Sequence, residues 1–137
     1  MRKILFRGKG DKKYNESDWY YGVPIQDSKY LQICTNISKR IVLPDTISEF
    51  IGKHDKNGKM IFEGDIVKGR LFYEDSARLY VVKYSNCNTS YYFVGADKRL
   101  YSTSNILDIE ALGNIWDNPE LLRTEMSDEK KESNNYD

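Results

Sequence analysis

Apolar residues along this chain come in short bursts separated by Gly, Asn, Asp, Ser or Pro, and within the bursts they alternate more often than they recur at helical spacing. Alternation rich in aromatic and β-branched residues predicts strands. The first covers 2–7, around Ile4, Leu5 and Phe6, and Gly8-Lys9-Gly10 with the charges that follow reads as a loop. Trp19-Tyr20-Tyr21-Gly22-Val23 is the second strand. Pro24 has no amide proton for a ladder, so this strand lies at an edge or stops there. A turn at Asp27-Ser28 leads into 30–34, which predicts a hairpin. Asn36 turns the chain again before 40–43, stopped by Pro44-Asp45. Over 46–50, β-branched Thr46 and Ile47 and the nearby Gly52 favour strand over the helical spacing of Ile47 and Phe50.

The second half is more regular. A strand over 65–71 follows Glu63-Gly64. In 78–84, Tyr80, Val82 and Tyr84 share one face and Leu79 and Val81 the other, so both faces are apolar, as in an interior strand. Residues 89–94 pair back on it, Leu100-Tyr101 adds a short segment, and 106–116 is the last strand, alternating from Asp108 onward. Asn118-Pro119-Glu120 has the grammar of a helix start, with Asn118 as the cap. The stretch after Arg123 holds little besides Met126 and Tyr136 to bury, and cannot repay its ordering entropy without a partner to cover it. About nine short strands with one or two brief helices define an all-β fold, as in barrels and sandwiches.

The densest text is 50–68, where Asp55-Lys56-Asn57-Gly58 and Glu63-Gly64-Asp65 punctuate apolar pairs. Both are read as structural turns carried by Asn57, Gly58, Gly64 and Asp65, with Gly58 supplying a positive φ. A calcium loop needs its glycine later and its glutamate further away than Glu63. Glu63 and Asp65 could form a carboxylate pair, but Gly64 between them favours Asp65 bonding to local amides. His54, the single histidine, sits in polar text without an evident nucleophile to serve. Gly8-Lys9-Gly10 lacks the spacing of either phosphate-binding glycine motif. The chain is therefore expected to be no enzyme and to need no cofactor or metal.

With 137 residues the chain suits one domain or a domain with an appendage, and its charged residues, 31% of the total, balance to zero. Nucleic-acid binding would then need a local patch, for which Arg2, Lys3, Arg7, Lys9, Lys12 and Lys13 are the candidates. Cys34 and Cys87 are too far apart for a zinc or dithiol motif, which fits a reduced, cytoplasmic setting, and no apolar run approaches the length of a membrane span. The eleven tyrosines exceed what a core of this size needs. Neighbouring rings on a strand point to opposite faces, so Trp19, Tyr20, Tyr21, Tyr91 and Tyr92 form a candidate interaction surface, with self-association the first use for it.

Several segments, taken in order, carry a resemblance: 2–8, Trp19-Tyr20-Tyr21-Gly22, Pro44 with Thr46, Phe50-Ile51-Gly52, 55–59, 61–67 and 113–122. In their sequence and spacing the chain resembles the YopX family of small phage and prophage proteins. The resemblance implies an SH3-like barrel over 50–122, with strands of 1–49 packed beside it and a polar tail over 123–137. It implies oligomers and the cytoplasm of a bacterial host, and it brings no catalytic residues. The reading is of a non-catalytic, self-associating protein-interaction module that contacts a host or phage protein, or alternatively a nucleic-acid-binding protein using the basic N-terminus.

Overall fold

A computed structural model describes residues 2–123. Nearly all of the polar tail expected over 123–137 lies outside the described residues. The chain divides into two compact units, Met1–Gly52 and Lys53–Asp137. It is all-β, built of antiparallel strands.

The first unit contains β1 (Phe6–Lys9), β2 (Trp19–Gln26), β3 (Leu31–Cys34), β4 (Lys39–Ile41) and the start of β5 (Ser48–His54), in the order β4-β3-β2-β1-β5. β2 changes partners halfway. Trp19 to Gly22 pair with β1, and Val23 to Gln26 pair with β3. Pro24 therefore does not stop the strand: it falls in the half that faces β3 alone, where its missing N–H breaks no ladder bond. A 3-10 turn, Pro44–Thr46, precedes β5, so the strand expected over 46–50 begins two residues later and runs further.

Gly8-Lys9-Gly10 is not the loop expected from its composition. Gly8 and Lys9 belong to β1, and Gly10 bridges Val42. The reason is packing: a Cβ on Gly8 would come within 3.0 Å of Val42 Cγ2 and 3.1 Å of Ile33 Cγ1. Glycine lets β1 approach the two fully covered aliphatic side chains of this unit. The Lys9 amide donates to Thr46 Oγ1 at 2.8 Å, tying the strand to the 3-10 turn.

The second unit holds β6 (Met60–Phe62), β7 (Asp65–Leu71), β8 (Arg78–Ser85), β9 (Ser90–Gly95), β10 (Leu100–Ser102) and β11 (Ile106–Asn114). Its five-stranded sheet has the order β10-β9-β8-β7-β11. This is an open ladder with β10 and β11 as its edges, not the closed sheet that the SH3-like barrel expected over 50–122 would have. Tyr80 and Val82 on β8 are paired with Val67 and Phe93, and with Ile66 and Ile106 they form the buried core.

β11 departs from the simple alternation expected of it. Its register against β7 shifts after Leu107 and again after Ala111. At the first shift Asp108 adopts φ 55°, and its Oδ2 accepts a hydrogen bond from the Arg70 Nε–H at 2.7 Å. The strand ends at Asn114 because that side chain bends the backbone: its Oδ1 accepts the N–H groups of Trp116 and Asp117 at 3.0 and 2.8 Å. Ile115 and Trp116, expected in the strand, lie in this turn. Residues 120–123 are helical, but Asn118 does not act as the expected cap. Its Oδ1 turns back to accept the Asn114 N–H at 3.2 Å, in space that a side chain at Gly113 would fill.

Candidate interaction surface

Two of the carboxylates that might have carried chemistry, Asp55 and Asp65, serve the backbone. Asp55 is buried between the β5–β6 turn and β11. One oxygen accepts the N–H groups of Asn57 and Lys59, both at 2.9 Å, and the other accepts the Ala111 N–H at 3.0 Å. Burial by itself would raise the pKa of this carboxyl, but the bonds from Ala111, Lys59 and Asn57, with the charge of Lys59, outweigh it and hold the pKa below the usual value. Amide protons face these oxygens where a cation would have to sit. Gly58 completes the turn at φ 83°.

Glu63 and Gly64 make the turn between β6 and β7, and Asp65 Oδ2 accepts the Phe62 N–H at 2.8 Å. Gly64 has φ 86°, donates to Val82 O at 2.8 Å and accepts from Ile115 N at 2.9 Å. The Trp116 ring lies over it, 2.5 Å from where a Cβ would stand. His54 is exposed at the end of β5. Among the described residues no group of three His, Cys, Asp or Glu side chains is placed to hold a metal ion.

The basic N-terminal residues do not form one surface. Arg7 is only 6% exposed, lies over the Trp19 ring at 4.6 Å and donates to Ser48 Oγ at 3.1 Å. Arg2 is paired with Glu49 at 2.9 Å. Lys9 is half-buried, and Lys3, Lys12 and Lys13 are exposed. Lys13 lies beside Tyr14, whose ring packs edge-on against Tyr30 at 5.1 Å.

The aromatic candidates separate by unit. In the first, Trp19 is half-buried by Arg7, and Tyr20 is half-buried near Arg40, 5.5 Å from its ring. Tyr21 is 45% exposed, and Val23, two residues on and on the same face, is 58% exposed. In the second, Tyr91 packs edge-on against Tyr84 at 5.2 Å, and the Tyr92 hydroxyl accepts a hydrogen bond from Asn88 Nδ2 at 3.0 Å. Sequence reasoning passed over Val23, and also Phe72 and Tyr73, which are 60% and 67% exposed just after β7. The aromatic text of Phe72-Tyr73 ahead of Glu74-Asp75-Ser76 was the available signal.

Fold and surface together define an all-β protein in which buried Asp55 and Asp65 accept backbone amides and Tyr21, Val23, Phe72 and Tyr73 stand exposed. The chain belongs to the YopX family: the family model described as YopX protein matches residues 5–123. Among solved structures it is similar to the crystal structure of protein EF1440 from Enterococcus faecalis. That likeness has a TM-score of 0.56 and 21% identity, over 89% of this chain and 99% of the other, and it speaks for the fold. No curated protein matches the chain. Among the described residues, no helix is long and apolar enough to cross a membrane.

Proposed function

We propose that this protein is a non-catalytic interaction module that self-associates, encoded by a phage or prophage and acting in the cytoplasm of its bacterial host. The observation that carries the reading is the Tyr21–Val23 face. These side chains stand exposed side by side on β2, Tyr21 in the half paired with β1 and Val23 in the half paired with β3, and adjoining exposed apolar side chains of this kind ordinarily have a cover. The sheet edges are poor alternatives. β4, β6 and β10 are each three residues long, β4 carries Lys39 and Arg40, and β11 is interrupted by its two register shifts. Short, charged or bulged edges resist strand addition. Side-chain contact between faces is left, and a chain with no net charge offers little repulsion to a second copy. Tyrosine suits such contacts, since it brings a large apolar ring with a polar tip.

The enzymatic alternative finds no support in Asp55 and Asp65, whose oxygens are committed to backbone amides. Nucleic-acid binding through Arg2, Lys3, Arg7, Lys9, Lys12 and Lys13 is weakened by the burial of Arg7 and the Arg2–Glu49 pair. The deciding experiment is sedimentation over a wide range of protein concentrations, with the Tyr21→Thr, Val23→Thr double variant beside the parent. The parent is expected to associate and the variant to do so at least about tenfold more weakly, the cost of two exposed anchors in an interface. A parent that stays monomeric at millimolar concentration overturns the reading. A salt-sensitive gel shift with DNA or RNA would favour the nucleic-acid alternative.

A further inference from the structure

β8 is the central strand of its sheet and is apolar on both faces. The inner face, Tyr80 and Val82, is consumed by the core. On the outer face Val81 pairs with Val94 of β9, and with Leu79, Ala96 and Leu122 they line a groove of about 150 Å³. An apolar space near this volume takes a benzene-sized group.

The charge around the groove is one-sided. Lys83 and Lys98 stand exposed on its rim, and no acid lines it. Asp97, the acid of the neighbouring turn, is directed to the opposite face. Its Oδ1 lies 2.8 Å from where a Cβ on Gly95 would stand, and Gly95 pairs with Tyr80 on the inner side. The Asp97 oxygens accept the Arg99 N–H at 3.0 Å and the Tyr101 hydroxyl at 2.7 Å. Lys98 holds φ 63°, and its N–H bonds to Gly95 O at 2.9 Å. The turn thus carries a cation at a position where the backbone alone favours glycine or asparagine, a local cost of the kind found at binding sites.

We infer that this groove binds a small apolar carboxylate, with a ring-sized body on Val81, Val94 and Leu122 and its anionic end held between Lys83 and Lys98. The occupant is a free small molecule rather than a peptide. β8 and β9 are each paired on both sides, so no backbone groups of the sheet are open to an extended chain there, and the space admits a single ring-sized group. Burial of the ring provides most of the affinity. Exposed lysines add less, but they select the sign of the ligand's charge. The groove lies in the second unit, on residues apart from the Tyr21–Val23 face, so the inference stands whether or not the protein self-associates.

The probe is phenylpropionate, titrated into the full chain with methyl-labelled Leu and Val. The signals of Leu79, Val81, Val94 and Leu122 are expected to shift together with a Kd of about 1 mM, the range open to a ligand of this size. Phenylpropanol keeps the ring without the charge and should bind about fivefold more weakly, and phenylpropylamine more weakly still. The Lys83→Gln, Lys98→Gly variant should lose about fivefold in affinity for the acid and none for the alcohol, a split that a damaged fold would not produce. Glycine suits the left-handed turn, so this variant keeps it. Methyl signals that stay unmoved at about 10 mM phenylpropionate overturn the inference. Equal binding of acid, alcohol and amine also overturns it, because the lysines would then select nothing. A short peptide ending in phenylalanine that binds about tenfold more tightly than phenylpropionate overturns the assignment to a free small molecule.

Discussion

Asp55 and Gly64 are the residues on which the second unit turns. Replacing Asp55 by Asn keeps one acceptor oxygen but sets an NH2 group against a backbone N–H, so at least one amide loses its partner. The expected cost is about 2 kcal/mol, measured by urea unfolding. Because the Asp55 pKa is lowered on folding, its stabilisation is present above the pKa of the unfolded carboxyl and fades as pH falls through the folded value. The acid limb of the stability curve should therefore be shallower in Asp55→Asn than in the parent. Gly64→Val adds a β-branched side chain at φ 86° beneath the Trp116 ring, and is expected to destabilise by about 2–4 kcal/mol in thermal or urea melts. A melt equal to the parent's would show that the turn and Trp116 are free to move aside.

Tyr101 gives the alkaline counterpart. It donates to Asp97 Oδ2 at 2.7 Å, and that bond, followed by burial and the charge of Asp97, raises its pKa from 10.0 to about 12. A proton held more tightly in the folded state stabilises it fully below pH 10, and that contribution is lost as pH rises toward 12. Tyr101→Phe should be less stable than the parent at neutral pH and converge with it through this window, as followed by circular dichroism.

Among the elements, those that obey one rule along their length were legible in the sequence. β8 and β9 show their strand character in unbroken apolar alternation, and the two-faced pattern of β8 correctly makes it an interior strand. Elements that depend on distant chain were not. The strand nature of Gly8 and Lys9 depends on Val42 and Ile33, which a glycine-rich string does not reveal. β11 ends where Asn114 bends it and bulges where Asp108 meets Arg70, both side-chain events superimposed on a simple alternation. The candidate surface was legible only as an excess of rings. That Trp19 would be shielded by a buried arginine while Val23 stayed bare depends on register and on which neighbours cover each face.

At the scale of the molecule the two units are unequal. The buried apolar side chains described in the first are Ile33, Val42 and Phe50, whereas the second has a continuous set from Ile61 through Ile109. A unit of this size with so small a core is marginal alone. The fragment 1–52 is expected to show no cooperative thermal transition by circular dichroism, while 53–137 retains one. A sharp melt for 1–52 would show that its hydrogen bonds and few side chains suffice.

β7 lies between β8, which follows it directly, and β11, which closes the other side of its ladder only near the end of the described chain. A ribosome delivers these partners at different times. Until residues 106–114 emerge, a nascent chain carries β7 as a bare edge of Ile, Val and Leu, and leaves one oxygen of Asp55 without the Ala111 amide. Completion of this sheet therefore waits on translation of its last strand, and until then one side of β7 keeps unpaired backbone N–H and C=O groups.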